Sequence, residues 1–255
     1  MLKDFLFFST VFNDAPQPWQ LGFQDSAAPN FTGIIELHNI IFFYLIIISV
    51  GVFWILFSLI YNYNYKTNSF AHKYMNHGTL LETIWTIVPA LILILIAFPS
   101  FKLLYLLDEV ISPTVTIKIS GSQWYWSVEY SDYTTDNGSS IDFDVYMIPE
   151  SDLEIGQYRL LDVDNHIMIP VDCHIRFIAS ASDVLHSFAV PSLGIKIDCC
   201  PGRLNQVSVL VERAGTYYGQ CSELCGTYHG FMPVVIEAVP VNEYISFLNS
   251  FDETK

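Results

Sequence analysis

Near the C-terminal end of the chain, Cys221-Ser-Glu-Leu-Cys225-Gly-Thr-Tyr-His229-Gly-Phe-Met232 puts two thiols, an imidazole and a thioether into one short loop. No other stretch of the sequence combines as many soft metal donors. Thiolate and thioether select copper and imidazole suits it, whereas magnesium and calcium prefer oxygen ligands. A mononuclear blue-copper site uses a single thiolate. Two thiolates in one loop offer a further possibility, the bridging of two copper ions into one unit. Far upstream, Asp183-Val-Leu-His186-Ser-Phe-Ala-Val-Pro191 supplies a histidine inside an apolar, strand-like run. A β-sandwich copper site is commonly assembled this way, with one ligand from the body and the rest from a late loop.

Two other readings use part of the same residues. Cys221 and Cys225 can pair as a disulfide outside the cytosol. Cys221, Cys225, His229 and His186 also make a tetrahedral zinc set. The disulfide leaves both histidines idle, and zinc leaves Met232 idle. Met232 alone does not decide, because methionine is also an ordinary core side chain.

The elements that must carry this loop follow from hydropathy and charge. The chain has 255 residues and a mean hydropathy of +0.37. The apolar character is local: Leu37 to Tyr65 and Thr83 to Phe101 contain no charged residue. Each run is long enough for the roughly 20-residue helix that crosses a bilayer. Residues 1–107 hold five acids and four bases, so −14 of the chain's net −15 falls on residues 108–255. Such a domain disfavours nucleic acid, which needs a basic surface, and favours a basic protein or a cation.

Met1 to Asn13 is apolar and too short to span; it reads as a removable leader of residues 1–13 with a poor cleavage signal. Residues 14–38 form an N-terminal segment, polar and loop-like to Glu36. A helical hairpin is expected over residues 39–107, with spans at about 39–63 and 81–107. Thr79-Leu-Leu-Glu82 fits a capping box, and Pro89 and Pro99 inside the second span point to packing against other helices. The connector carries Lys66 and Lys73 and no acid before Glu82, so it faces the matrix or cytoplasm and both termini lie opposite. Residues 108–255 read as an all-β sandwich or barrel. Val115, Ile117 and Ile119 alternate with polar residues, Gln123 to Tyr130 is aromatic and β-prone, and Asp136-Asn-Gly-Ser139 is a turn. Further strands are expected at Ile141–Tyr146, Tyr158–Leu161, His174–Ala179, Gln206–Val211 and Pro233–Ala238, with a short helix at Asn242–Leu248. Asn30-Phe-Thr32 and Asn137-Gly-Ser139 fit the glycosylation pattern.

From about Asp14 to Leu248 the chain resembles the cytochrome c oxidase subunit 2 family in its mitochondrial form. The resemblance rests on Glu82-Thr-Ile-Trp85-Thr-Ile-Val-Pro89-Ala, Gln123-Trp-Tyr-Trp-Ser127, Val184 to Gly194, Pro201-Gly-Arg-Leu-Asn-Gln206 and the Cys221–Met232 loop, in the family's order. It implies a two-helix transmembrane hairpin followed by a cupredoxin-like sandwich in the intermembrane space, in the mitochondrial inner membrane. It also implies the binuclear copper centre CuA. The matching ligand positions are His186, Cys221, Cys225, His229, Met232 and the backbone carbonyl of Glu223. The Glu223 carboxylate matches a magnesium ligand shared with subunit 1, although the residues alone favour a surface carboxylate there.

Trp124 matches the residue through which electrons enter from cytochrome c. Taken alone, Trp124 and Trp126 share a strand face and read as core. Asp144, Asp164 and Asp183 match positions that dock the basic cytochrome. Glu82 matches a carboxylate near a proton-path entrance, and its capping role explains it equally. Lys196 and Asp198 lie in the segment facing subunit 1. Cys199 and Cys200 depart from the family's small residues, and Cys173 is no family ligand; all three read as buried small side chains.

The resemblance implies an electron-transfer subunit: reduced cytochrome c gives an electron through Trp124 to CuA, and haem a in subunit 1 receives it. Neither span contains a histidine between Ile40 and Tyr61 or Thr83 and Phe101. Haems a and a3 and CuB must then be ligated by subunit 1, with subunit 3 and accessory subunits as further partners. Three alternatives remain. A quinol oxidase subunit lacks the copper ligands present here. A membrane-anchored copper chaperone needs neither Trp124 nor a kinked second helix. A disulfide-stapled structural subunit needs neither His186 nor Met232.

Overall fold

The computed structural model describes residues 12–66, 68, 74–135 and 138–253. Residues 1–11 of the expected leader, Lys73 of the connector and the Asp136-Asn137 turn lie outside them. The chain divides into two compact units, Gly33–Leu106 and the remainder.

The first unit is a pair of helices. Helix α1 runs over Pro29–Asn62 and α2 over Thr79–Asp108. At 1.5 Å per residue, a helix of 34 residues reaches about 50 Å, more than the roughly 30 Å hydrocarbon core of a bilayer. α1 starts well upstream of residue 39, so the polar segment to Glu36 is not all loop. Proline is preorganised for the first turn, and the Ala28 carbonyl accepts from Phe31 and Thr32 N–H. At the start of α2, the Glu82 carboxylate accepts from Gly78 N–H at 2.9 Å. The cap therefore closes on Gly78, one residue before the expected Thr79. A Cβ on Gly33 would stand 2.7 Å from Leu103 Cδ1, so glycine there lets a side chain of α2 reach α1. Phe31 is the only buried residue among those described in α1, and Leu103 in α2.

The second unit is a two-sheet sandwich. Its strands are β1 (Phe12–Asp14), β2 (Val115–Ser122), β3 (Tyr125–Thr134), β4 (Ser140–Val145), β5 (Ile167–Pro170), β6 (His174–Ala181), β7 (His186–Val190), β8 (Ile195–Cys199), β9 (Asn205–Leu210), β10 (Gly215–Cys221) and β11 (Pro233–Val239), and helix α3 (Val241–Glu253) follows. One sheet has the order β5-β11-β10-β7-β8, with β1 parallel beside β10; the other has the order β4-β3-β2-β6-β9. β6 alternates strictly, with Ile175, Phe177, Ala179 and Ala181 turned inward, as a strand with one wet face must. β7 is buried at all five positions. Phe177 and Phe188 meet between the sheets, with ring centroids 5.6 Å apart. Each such ring, fully buried, contributes about 1.5–3 kcal/mol.

Tyr158–Leu161 forms a turn rather than the expected strand. The Tyr158 carbonyl accepts from Leu161 and Asp162 N–H, and Leu160 has φ 67°. Strands β1, β5, β8 and β10 were not anticipated. Trp124 lies in the turn between β2 and β3, not on a strand face with Trp126. Asn30 sits in the first turn of α1 and donates to the Ser208 carbonyl, so it is not an open loop site for glycosylation.

Candidate metal centre

One end of the sandwich gathers the soft donors. His186 opens β7, Cys221 closes β10, and the β10–β11 connection carries Cys225, then a 3-10 turn from His229 to Phe231, then Met232 immediately before β11. The loop base is tied to β7 by the Ser222 N–H, which donates to the Ser187 carbonyl at 2.9 Å. Gly226 has φ 120°, a backbone conformation that favours glycine, and turns the loop between Cys225 and His229.

The ligand atoms converge. The Cys221 and Cys225 sulfurs are 3.9 Å apart. Cys221 Sγ lies 3.9 Å from His186 Nδ1 and 3.3 Å from the Glu223 carbonyl oxygen. Cys225 Sγ lies 3.6 Å from His229 Nδ1 and 3.5 Å from Met232 Sδ. The donor atoms of His186, Cys221 and Cys225 all fall within 4.8 Å of one another, and all three residues are buried. A disulfide needs sulfurs about 2.05 Å apart, and both cysteines are free. Burial, with the neighbouring Cys221, pushes the Cys225 thiol well up, so a bound cation must displace a tightly held proton.

The surroundings shape this cluster. A Cβ on Gly121 would come 2.8 Å from His186 Cγ, so β2 makes room for the imidazole. Trp126 is fully buried, packs edge-on to His186 and Phe188, and donates its indole N–H to the Met232 carbonyl at 3.1 Å. Trp124 is half-buried against Gly226, and its ring meets Tyr228 edge-on at 4.9 Å. Its indole nitrogen is buried with no hydrogen-bond partner among the described residues. Gln123 donates its side-chain N–H to the Cys225 carbonyl at 2.8 Å. Asp183 accepts from His186 Nε2 at 2.9 Å. Partial burial pushes the Asp183 carboxyl up, but hydrogen bonds from His186, Val184 and Gln123 outweigh it and hold it below its ordinary value.

The remaining residues singled out from the sequence lie elsewhere or at the rim. The Glu223 side chain is exposed while its carbonyl faces Cys221. Asp144 accepts from Ser127 Oγ at 2.7 Å, and Asp164 from the Tyr146 N–H at 2.8 Å. Glu82 is exposed on α2, Lys196 and Asp198 are exposed on β8, and Cys173 and Cys200 are half-buried. Cys199 is buried, and desolvation pushes its thiol up to about 12, which makes it inert. Sequence reasoning missed Gly121, Gln123 and the contact of Asp183 with His186. The one available signal was spacing, since Asp183 stands three residues before His186.

Fold and site together define a membrane-anchored, cupredoxin-like domain with a soft-metal cluster at one end of its sandwich. Residues 16–103 match the family described as cytochrome c oxidase subunit II, transmembrane domain, and residues 115–239 match its periplasmic domain. Cytochrome c oxidase subunit 2 of Mycosarcoma maydis is 63% identical over 95% of each chain. That of Pneumocystis carinii is 60% identical over 94% of this chain and 98% of the relative. The solved periplasmic domain of subunit II of the Bradyrhizobium japonicum oxidase is 42% identical, covering 57% of this chain and 99% of that one at a TM-score of 0.50. The chain belongs to the cytochrome c oxidase subunit 2 family. It is thus a membrane-protein subunit of a haem-copper oxidase, and its donor set fits copper.

Proposed function

We propose that this chain is the electron-accepting subunit of its oxidase, taking electrons from reduced cytochrome c at a binuclear CuA centre and passing them to haem a in subunit 1. One observation carries the reading. Two sulfurs 3.9 Å apart each face a different imidazole, Cys221 with His186 and Cys225 with His229. Paired thiolates with separate imidazoles suit two ions better than one tetrahedral zinc. His186, Cys221, Cys225, His229, Met232 and the Glu223 carbonyl would hold the copper, which supplies a one-electron carrier shared between two nuclei. The protein's part is to keep those donors fixed and dry. His186, Cys221, Cys225 and Met232 are buried, and Trp126 holds the Met232 backbone. Small change of geometry between redox states keeps the barrier to electron transfer low.

Trp124 packs on Gly226, the residue after Cys225, and so offers the short path from the surface to a ligand. The acidic domain speeds encounter with a basic cytochrome, with Asp144, Asp164 and Asp183 as candidate docking charges. The exposed Glu223 carboxylate suits a magnesium ion shared with subunit 1, and Glu82 a proton-path entrance. The location that fits is the mitochondrial inner membrane with both termini in the intermembrane space. The test is copper stoichiometry and EPR on the purified oxidase. Two coppers assigned to this chain, sharing one delocalised electron, are expected. A single-nucleus copper pattern, or zinc in their place, would refute the reading.

A further inference from the structure

Away from the metal cluster, the segment before α1 carries an apolar loop that electron transfer does not use. Trp19 is 97% exposed, Leu21 104% and Phe23 46%. Single exposed apolar side chains are ordinary, but three within five residues make a patch of the kind that marks an interaction surface. The loop is built rather than loose. Gln20 N–H donates to the Gln17 carbonyl at 3.2 Å, and Gln17 N–H donates to Gln20 Oε1 at 3.0 Å. Inside that turn Trp19 has φ 61°, a left-handed backbone that a bulky residue rarely adopts. Gln24 ties the far end to the sandwich, donating to the Asp14 carbonyl at 3.3 Å and accepting from Ser192 Oγ at 3.2 Å. Pro16, Trp19, Phe23, Phe31 and Pro191 line a cleft of about 550 Å³ on this surface.

Depth argues against lipid as the cover. Phe23 packs edge-on to Phe31 in the first turn of α1, with ring centroids 5.8 Å apart. The long apolar run of α1 starts only at Ile40, about 14 Å further along the helix at 1.5 Å per residue. Glu36, His38 and Asn39 lie between. From Ile40 the run to Tyr61 measures about 33 Å, close to the roughly 30 Å hydrocarbon core, so α1 needs little tilt. A headgroup layer is about 5–8 Å deep, and the loop stands beyond it. Charge argues against a basic partner. Residues 15–24 contain no charged side chain, although most of the chain's net −15 lies on the sandwich region. What fits is an uncharged protein surface above the bilayer. Membership of a haem-copper oxidase supplies neighbouring subunits, and the match to the family's transmembrane domain begins at residue 16, with this loop inside it.

We propose that the loop of residues 16–23 is an assembly surface, which seats Trp19 and Leu21 in an uncharged, apolar recess on the extramembrane part of another subunit of the same oxidase. The fixed turn presents both side chains on an ordered backbone, so little conformational entropy is lost on contact. Tryptophan buried at the centre of an interface is among the most effective of such contacts. The role depends on the chain's place in an oxidase and not on the copper reading of the metal site.

The experiment uses the purified oxidase with a photoreactive benzophenone analogue of phenylalanine in place of Trp19. After irradiation, mass spectrometry is expected to find this chain joined to a peptide of another subunit. Adducts to lipid or detergent alone, or no adduct at all, overturn the proposal. Leu21→Asp puts a charge at a fully exposed position that the fold of this chain does not need. It is expected to speed dissociation of this chain from the oxidase in detergent by about tenfold or more. Ile155→Asp is the control, since Ile155 is 108% exposed but stands outside the loop, and it is expected to leave that rate unchanged. A Leu21→Asp rate equal to wild type, or equal acceleration by Ile155→Asp, also overturns the proposal. Where neither loop variant yields an oxidase, hydroxyl-radical footprinting of the wild-type enzyme decides. Trp19 is expected to be shielded relative to the urea-unfolded chain, and oxidation as fast as in that chain overturns the assembly role.

Discussion

The helical hairpin and the β-sandwich are both rich in large apolar side chains, and they hide them from water by different means. In the sandwich, Trp126, Phe177 and Phe188 are fully buried by the chain itself. On the hairpin, Trp54 is 71% exposed, Phe57 65% and Leu93 67%. None of the described residues covers that surface, and an uncovered apolar face of such extent must meet lipid or other helices. The difference shows what each region asks of its sequence. The sandwich needs shape, because a tight interior penalises every missing atom. The hairpin needs only continuous apolarity and internally satisfied backbone, so its side chains are nearly interchangeable where lipid is the neighbour.

The largest expected effect separates the two kinds of phenylalanine. Phe177→Ala removes a fully buried ring between the sheets and should cost about 3–5 kcal/mol of domain stability. Phe57→Ala, on α1, should leave the domain's stability within about 0.5 kcal/mol. Chemical denaturation of the detergent-solubilised chain, followed by tryptophan fluorescence, measures both. Equal losses would erase the distinction between the regions. The next effect reverses the roles. Ile47→Asp places a charge in the middle of α1, where insertion scales put the cost at about 2.5–3.5 kcal/mol, while Ile47→Leu should change nothing. The readout is the membrane-integrated fraction that resists alkaline extraction. Full integration of the aspartate variant would mean that this face of α1 does not meet lipid.

The two regions were also unequally legible in the sequence. The spans announce themselves by length and lack of charge, but α1 begins at Pro29, because a proline-led first turn can form in polar sequence. In the sandwich, alternating β2 and β6 were readable, whereas β5 and β8 were not, being only four and five residues long. Tyr158–Leu161 has strand-like composition, yet Leu160 adopts a left-handed conformation that ends any ladder. The thiols, His229 and Met232 were legible because one loop holds them. His186 was legible because a metal site needs a ligand from the body. The link from Asp183 through Gln123 to Cys225 was not, since it joins residues 60 and 102 positions apart. Trp124 shows the limit of periodicity. Two residues from Trp126, it belongs by alternation to the same face, but the β2–β3 turn takes it out of the ladder and sets it against Gly226.

The smallest effect lies on the wet surface of the sandwich, where polar pairs replace the lipid contact of the hairpin. Glu237 on β11 accepts from His166 Nδ1 at 3.2 Å, with the two side chains 39% and 34% exposed. The His166 hydrogen bond outweighs partial burial and, with the histidine's charge, holds Glu237 below the ordinary value of 4.5. A carboxylate whose folded value is depressed favours the folded state when ionised. Its contribution is therefore fully present above about 4.5 and is lost as pH falls through the lowered folded value. Solvent screens the pair, so the contribution is about 0.2–1 kcal/mol. Glu237→Gln should lower the melting temperature slightly at about pH 6, and the gap to wild type should close as the solution is acidified through the lowered folded value of Glu237, where its carboxyl becomes as neutral as the glutamine. A gap that persists or widens in acid would assign the effect to packing on β11. The surface pair would then carry no more specific electrostatics than the lipid-facing side chains of α1.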